Sequence, residues 1–107
     1  MIDPNALADT MGGSDPAAAK AARVSLANFA HAAGAPNAGS GQRRETIKAL
    51  TEIAKSKRPR MVRAHALHLL GLIASKGELR SLAPLERDPE VGEDARMALS
   101  RIMRGGK

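Results

Sequence analysis

A chain of 107 residues is long enough for one domain with a modest hydrophobic core. The absence of cysteine excludes disulfides and thiolate metal sites, and the single aromatic residue, Phe29, argues against a strand-rich fold. A net charge of +6 favours acidic partners, nucleic acid among them. The N-terminal residues have no basic start and no long apolar run, so we expect no secretory signal, no membrane span and a cytoplasmic location.

Proline marks the predicted helix starts along the chain. Aspartate accepts hydrogen bonds from the free N–H groups of a first helical turn, and proline suits the next position. This pair occurs three times, at Asp3-Pro4, Asp15-Pro16 and Asp88-Pro89, and Arg58-Pro59 is a fourth start without a capping side chain. With the Gly- and Ser-rich breaks, the pattern predicts a flexible connection at 33–41 and helices at about 4–11, 16–32, 42–56, 59–75, 78–86 and 89–103.

Two of these helices repeat one pattern. VRAHALHLLGLI (62–73) aligns with VGEDARMALSRI (91–102), so that valine, alanine, leucine and isoleucine recur on one helix face in both segments. A weaker third copy follows Asp15-Pro16, with Ala18, Ala22, Leu26 and Phe29 at the matching positions. We therefore expect three similar helices, each burying one apolar stripe in a shared core.

The segment GELRSLAPLERDPEVGEDARMALSRI resembles the short bacterial HEAT repeats of the phycobilisome-lyase-like kind. The turn from Asp88 to Val91 and the Ala98-Leu99 pair carry this resemblance, while Gly92 replaces the arginine that usually follows the valine. Arg63 fills that place in the middle unit, and Pro84 interrupts or bends the short first helix of the last unit. The resemblance implies one all-α domain, a right-handed α-solenoid of about two and a half to three helix pairs, with units at about 1–33, 42–75 and 77–103.

The same resemblance implies that the second helices of successive units line a concave groove. Aligning the repeats places a mixed basic and apolar set of side chains there: Lys20, Arg23, Val24, His31, Leu67, His68, Arg96, Met97 and Arg104. Such a surface suits a peptide or helix that carries acidic groups and an apolar anchor. We expect a protein-interaction module or scaffold that is not an enzyme, because no P-loop, GxSxG or GxGxxG motif occurs.

Two alternatives stay open. A HEAT-like protein could instead bind duplex DNA through its phosphates, with help from the basic turn formed by Lys55, Lys57, Arg58, Arg60 and Arg63. The chain could also be an accessory domain or a truncated part of a larger protein. Its last unit has no closing helix, so Leu99 and Met103 are expected on an open apolar flank that favours self-association into a homo-oligomer.

His65 and His68 lie about 60° apart on one helix and could share a metal ion. A metal site needs further ligands, however, and the matching positions of the last unit are Asp94 and Met97. We therefore predict no metal and no cofactor, with His65 at the helix edge and His68 exposed.

Overall fold

The computed structural model describes residues 4–33, 39–74 and 76–105. Within these ranges the chain is helical and contains no strand, which confirms the predicted all-α class. The elements are α1 (Pro4–Met11), α2 (Pro16–Ala33), α3 (Ser40–Lys55), α4 (Arg60–Ile73), α5 (Leu79–Leu82) and α6 (Gly92–Gly105), with 3₁₀ turns at Lys76–Glu78 and Ala83–Arg87. Of the predicted connection at 33–41, Ala33 ends α2 and Ser40 begins α3, and 34–38 lies outside the described residues.

Aspartate caps two of the predicted helix starts. Asp15 Oδ1 accepts hydrogen bonds from the backbone N–H groups of Ala17 at 3.0 Å and Ala18 at 3.3 Å, and α2 begins beside it. Asp88 Oδ1 accepts in the same way from Glu90 at 2.8 Å and Val91 at 3.2 Å, although a turn intervenes and α6 begins only at Gly92. The Asp3 cap falls outside the described residues. As predicted, α4 follows Pro59 without a side-chain cap.

The helix predicted at about 78–86 is interrupted at Pro84, as the sequence indicated. α5 has four residues and passes directly into the 3₁₀ turn that contains Pro84. Proline has no N–H to donate and its ring obstructs the preceding turn, so an α-helix cannot continue through it. The apolar stripe of this segment survives the break, because Leu82 and Leu85 are buried and Leu79 packs partly against the core.

The helices form two layers. α1 packs on α2, α3 on α4, and α5 with the turn after it on α6, while α4 lies between α2 and α6 in the second layer. The Cα atoms span 37 × 35 × 16 Å, and the short dimension fits two helices stacked about 8–10 Å apart. The core between the layers is aliphatic and includes Leu26, Leu50, Ile53, Val62, Leu70, Leu82 and Ile102.

The predicted buried stripe is confirmed on α4 and α6, but on α2 it is displaced by one turn. The buried positions are Val62, Ala66, Leu70 and Ile73 on α4; the matching ones are Val91, directly before α6, and Ala95, Leu99 and Ile102 on it. On α2 the same spacing runs through Ala22, Leu26, Ala30 and Ala33, whereas Ala18 and Phe29 are only half-buried. Aligning α2 with the later helices by their Asp-Pro starts gave the wrong register. The reason is that α2 begins one turn earlier, relative to its buried stripe, than the helices that follow.

Candidate binding face

The exposed sides of α2, α4 and α6 form one surface, the α2–α4–α6 face. Most of the predicted groove residues are exposed side chains of these three helices: Lys20, Arg23, Val24, His31, His68, Arg96, Met97 and Arg104. Val24 and Met97 are 50% and 62% exposed, which is high for large apolar side chains. The face therefore combines cations with accessible apolar groups.

Leu67 is the exception, and its predicted place in the groove is wrong. Its side chain is fully buried. Leu67 lies one turn before Gly71 on the same flank of α4, and Gly71 packs directly against Ala98 of α6. A flank of α4 that α6 covers cannot also line an open surface, so Leu67 belongs to the core.

A cleft of about 520 Å³ opens between α2 and α4, close to the end of α1. We call it the α2–α4 cleft, and its lining residues are Met11, Pro16, Ala19, Lys20, Arg23, Arg60, Met61, Val62, Ala64 and His65. Three of these are basic and most of the others are apolar. The alignment of repeats did not predict this cleft, because the cleft depends on the spacing of two helices. The only signal in the sequence is the run of small residues AAAKAA on α2, which leaves space beside the helix.

The cations of the cleft differ in their partners. Arg60 donates to the Glu90 carbonyl at 2.9 Å and forms a salt bridge with Asp94 at 3.2 Å. Lys20 and Arg23 form no ion pair with any part of the chain that the structure describes. Two positive charges beside the cleft are therefore available to an anionic ligand.

His65 of α4 lines the cleft on the side of α2, beside Arg23. Its Nε2 atom is buried and has no hydrogen-bond partner within the described residues. Burial lowers the pKa of His65, and the nearby His68 and Arg23 charges lower it further. The Arg23 backbone carbonyl acts in the opposite direction, although it falls short of hydrogen-bond geometry. The ring is therefore neutral near pH 7.

The two histidines stack on each other, with ring centroids 6.5 Å apart and planes inclined by 23°. His68 faces a pocket of about 50 Å³ between α4 and α6, where its Nδ1 lies 3.4 Å from Arg101 Nη1. Among the described residues, no three His, Cys, Asp or Glu side chains come close enough to hold a metal. His65 and His68 therefore contact each other on the surface of α4 between the α2–α4 cleft and the smaller pocket.

The burial of Arg63 contradicts its predicted place in an accessible basic turn. Only 7% of its side chain is exposed. Arg63 Nε donates to the Ala54 carbonyl at 2.9 Å, Nη1 donates to Glu90 at 3.0 Å, and Nη2 donates to Asp88. The guanidinium therefore joins α3, α4 and the turn before α6, and it is not accessible to phosphate.

The rest of the basic turn is also largely occupied within the protein. Arg58 forms a salt bridge with Asp9 of α1 at 3.0 Å, and Lys55 Nζ donates to Ser81 Oγ at 3.1 Å. Arg60 is engaged by Asp94 as described. Across the described ranges, Lys57 is the one cation of this turn without such a contact. These contacts join the turn to α1, α5 and α6.

The outer flank of α6 is less apolar than predicted. Leu99 is buried by its own chain, with 7% of its surface exposed, whereas Met103 is 62% exposed. Ser100, close to one turn before Met103 on the helix, is polar and exposed. A lone methionine among polar residues leaves little apolar area for self-association through this end.

No known protein family matches the sequence, and no curated protein and no solved structure matches the chain. In the described part of the chain, no helix combines the length and apolar character needed to cross a bilayer.

Proposed function

We propose that this chain is a HEAT-like helical-repeat module that binds an acidic protein segment on its α2–α4–α6 face and has no enzymatic activity. The observation that carries the proposal is the α2–α4 cleft, where Lys20 and Arg23 have no carboxylate partner among the described residues and Met61 is 68% exposed. Exposed apolar groups among available cations are typical of surfaces that recognise acidic, partly apolar peptides.

The repeat architecture is the second half of this proposal: a right-handed solenoid of two and a half to three helix pairs. It is supported by the contacts between successive helices of the second layer and by the apolar stripe that recurs on α2, α4 and α6. Arg63 adds further support, because it links its own unit to Asp88 and Glu90 of the next. In a repeat stack each pair depends on its neighbours for burial.

Charge reversal across the face tests the proposal. Arg23→Glu with Arg96→Glu should abolish capture of a protein partner from lysate, and nuclease treatment should not affect capture by the wild type. A matched control, Arg44→Glu with Lys48→Glu, makes the same charge change on exposed positions of α3 and should leave capture intact. Circular dichroism should show equal helicity in both variants. Equal capture by the wild type and the Arg23/Arg96 variant would contradict the proposal.

A second candidate is binding to the phosphates of duplex DNA, which the exposed cations Arg96, Arg101 and Arg104 on α6 favour. The ion pairs of Arg58, Arg60 and Arg63 weaken it, since they remove most of the basic turn from use. Fluorescence anisotropy with a labelled duplex at about 50 and 200 mM salt separates the two candidates, because contacts to phosphate alone fade steeply with salt. Submicromolar binding that survives the higher salt would favour nucleic acid over a peptide.

A further inference from the structure

We propose that the α2–α4 cleft is the anchoring pocket for a peptide segment in which an aspartate or glutamate stands beside an apolar side chain. This inference rests on the proposed function and narrows it to one cleft and one ligand chemistry. The broader α2–α4–α6 face includes α6, so the two claims can fail separately.

The charge of the cleft points to a carboxylate. No acidic residue is among its described lining residues, and Lys20 and Arg23 have no anionic partner within the described chain. Arg60, at the α4 end, already binds Asp94 and is the weaker candidate for a ligand contact. His65 is neutral at pH 7 because burial lowers its pKa. Two side-chain cations on α2 therefore set the preference for an anion.

The remaining lining of the cleft points to an apolar neighbour of that carboxylate. Met61 exposes 68% of its surface, and Met11 lies at the other side beside the end of α1. Methionine side chains are flexible and polarizable, so they adapt to apolar groups of varied shape. Ala19 and Ala64 keep the space open, and a cleft of about 520 Å³ lies within the range of about 300–1,000 Å³ found for ligand sites.

The observations favour a peptide over the other occupants. A second copy of this chain also carries a net charge of +6, so the approach of one copy to another is opposed by repulsion. A nucleic acid backbone offers phosphates but no aliphatic group to cover Met11 and Met61. An acidic peptide satisfies both the cations and the methionines.

Selection from a random peptide display library tests the ligand chemistry. Wild-type protein should enrich peptides with aspartate or glutamate adjacent to an apolar residue, and Lys20→Glu with Arg23→Glu should lose that preference. The Arg44→Glu with Lys48→Glu control, with equal net charge, should select the wild-type sequences. We expect a synthetic peptide of the selected sequence to bind the Lys20/Arg23 variant at least about tenfold more weakly than the control. No acidic enrichment, or equal affinity for both variants, would overturn the proposal.

Mapping the same peptide locates the site. In ¹⁵N–¹H spectra of the full chain, the peptide should shift amides of α2 and the first half of α4. Met61→Ala should weaken binding, whereas Leu72→Ala, another exposed apolar position on α4 that does not line the cleft, should not. Shifts centred on Arg96 and Met97 of α6 would overturn the cleft while leaving the α2–α4–α6 face as a protein-binding surface. Equal thermal midpoints would show that the variants remain folded.

Discussion

α4 meets its two neighbours in different ways. Against α6 it packs closely: a Cβ atom added at Gly71 would lie 3.3 Å from the Ala98 Cα, and Leu67 on the same flank is fully buried. Against α2 it leaves the α2–α4 cleft. In the register set by the buried stripes, Ala27 of α2 matches Leu67 of α4. Alanine fills less volume than leucine, and Ala27 packs against the core without lining the cleft, which α2 lines with Pro16, Ala19, Lys20 and Arg23.

Polar contacts divide in the same way. The α4–α6 side is joined by Arg63 to Asp88 and Glu90, and by Arg60 to Asp94. On the α2–α4 side, His65 has a buried Nε2 atom without a hydrogen-bond partner in the described chain. Regions with fewer buried contacts open more easily, and ligand sites are commonly drawn from them. The contrast suggests that α4–α6 provides stability while α2–α4 provides an adaptable surface.

The largest effect should come from shortening a side chain in the closely packed interface between α4 and α6. Leu67→Ala should lower the free energy of unfolding by about 2–5 kcal/mol, because it removes a fully buried leucine and leaves a cavity. Val24→Ala, at a half-exposed position on α2, should change it by less than about 0.5 kcal/mol. Urea melts measure both. Equal and small losses would show that Leu67 is exposed, and they would contradict the difference between the α4–α6 and α2–α4 interfaces.

Removing the guanidinium that joins three elements should have the next largest effect. Arg63→Met should cost about 1–3 kcal/mol, since the Ala54 carbonyl loses its donor and two carboxylates lose a partner. Arg63→Lys should restore little, because one ammonium cannot reproduce the fork that reaches three acceptors. Arg104→Met, at an exposed position, is the control and should be nearly neutral in the same melts. An Arg63→Met variant as stable as this control would show that the buried network contributes nothing.

Two glycines should respond in opposite directions to alanine. A Cβ atom at Gly92 would lie 2.8 Å from the Glu86 carbonyl oxygen, so Gly92→Ala must displace backbone and should cost about 1–3 kcal/mol. A Cβ atom at Gly41 in α3 meets nothing within 4 Å, so Gly41→Ala should stabilise the chain by about 0.4–1 kcal/mol. Thermal midpoints should move apart accordingly. Gly92→Ala without loss of stability would show that α6 is not held tightly against the turn before it.

A smaller effect should appear in the pH dependence of the free energy of unfolding, through His65 in the α2–α4 cleft. Because burial lowers the pKa of His65 in the folded state, the unfolded chain binds more protons as pH falls below the ordinary value of 6.5. The stabilisation is complete above that pH and is lost as pH falls through the lowered pKa. Urea melts at stepped pH should show this slope, His65→Gln should flatten it, and exposed His31→Gln should not. The corresponding loss from Asp88, whose pKa the Arg63 hydrogen bond lowers, begins only below about 3.8. An unchanged slope in His65→Gln would show that the ring is not buried in solution.

Local patterns in the sequence were enough to predict α1, α2, α3, α4 and α6 and two of the three buried stripes. The Asp15-Pro16 start, by contrast, shifted the alignment of α2 by one turn, because a helix can begin earlier without moving the face that it buries. Leu67 and Arg63 were misplaced for a shared reason: what covers them is distant in sequence. Arg63 pairs with Asp88, 25 residues later, and no property of the basic segment KSKRPRMVR (55–63) distinguishes a paired cation from an exposed one. The α2–α4 cleft depends on helix spacing, which a single sequence does not specify.

Native-state hydrogen exchange, measured for each helix, tests most directly whether the α4–α6 interface is more stable than the α2–α4 interface. Amides of α4 and α6 should exchange only through the opening of highest free energy, while amides of α2 should exchange through a smaller opening that leaves α4 and α6 protected. Buried positions such as Ala30 on α2 and Leu70 on α4 permit the comparison at similar exposure. Equal opening free energies for α2, α4 and α6 would contradict the division between a stabilising α4–α6 interface and an adaptable α2–α4 interface.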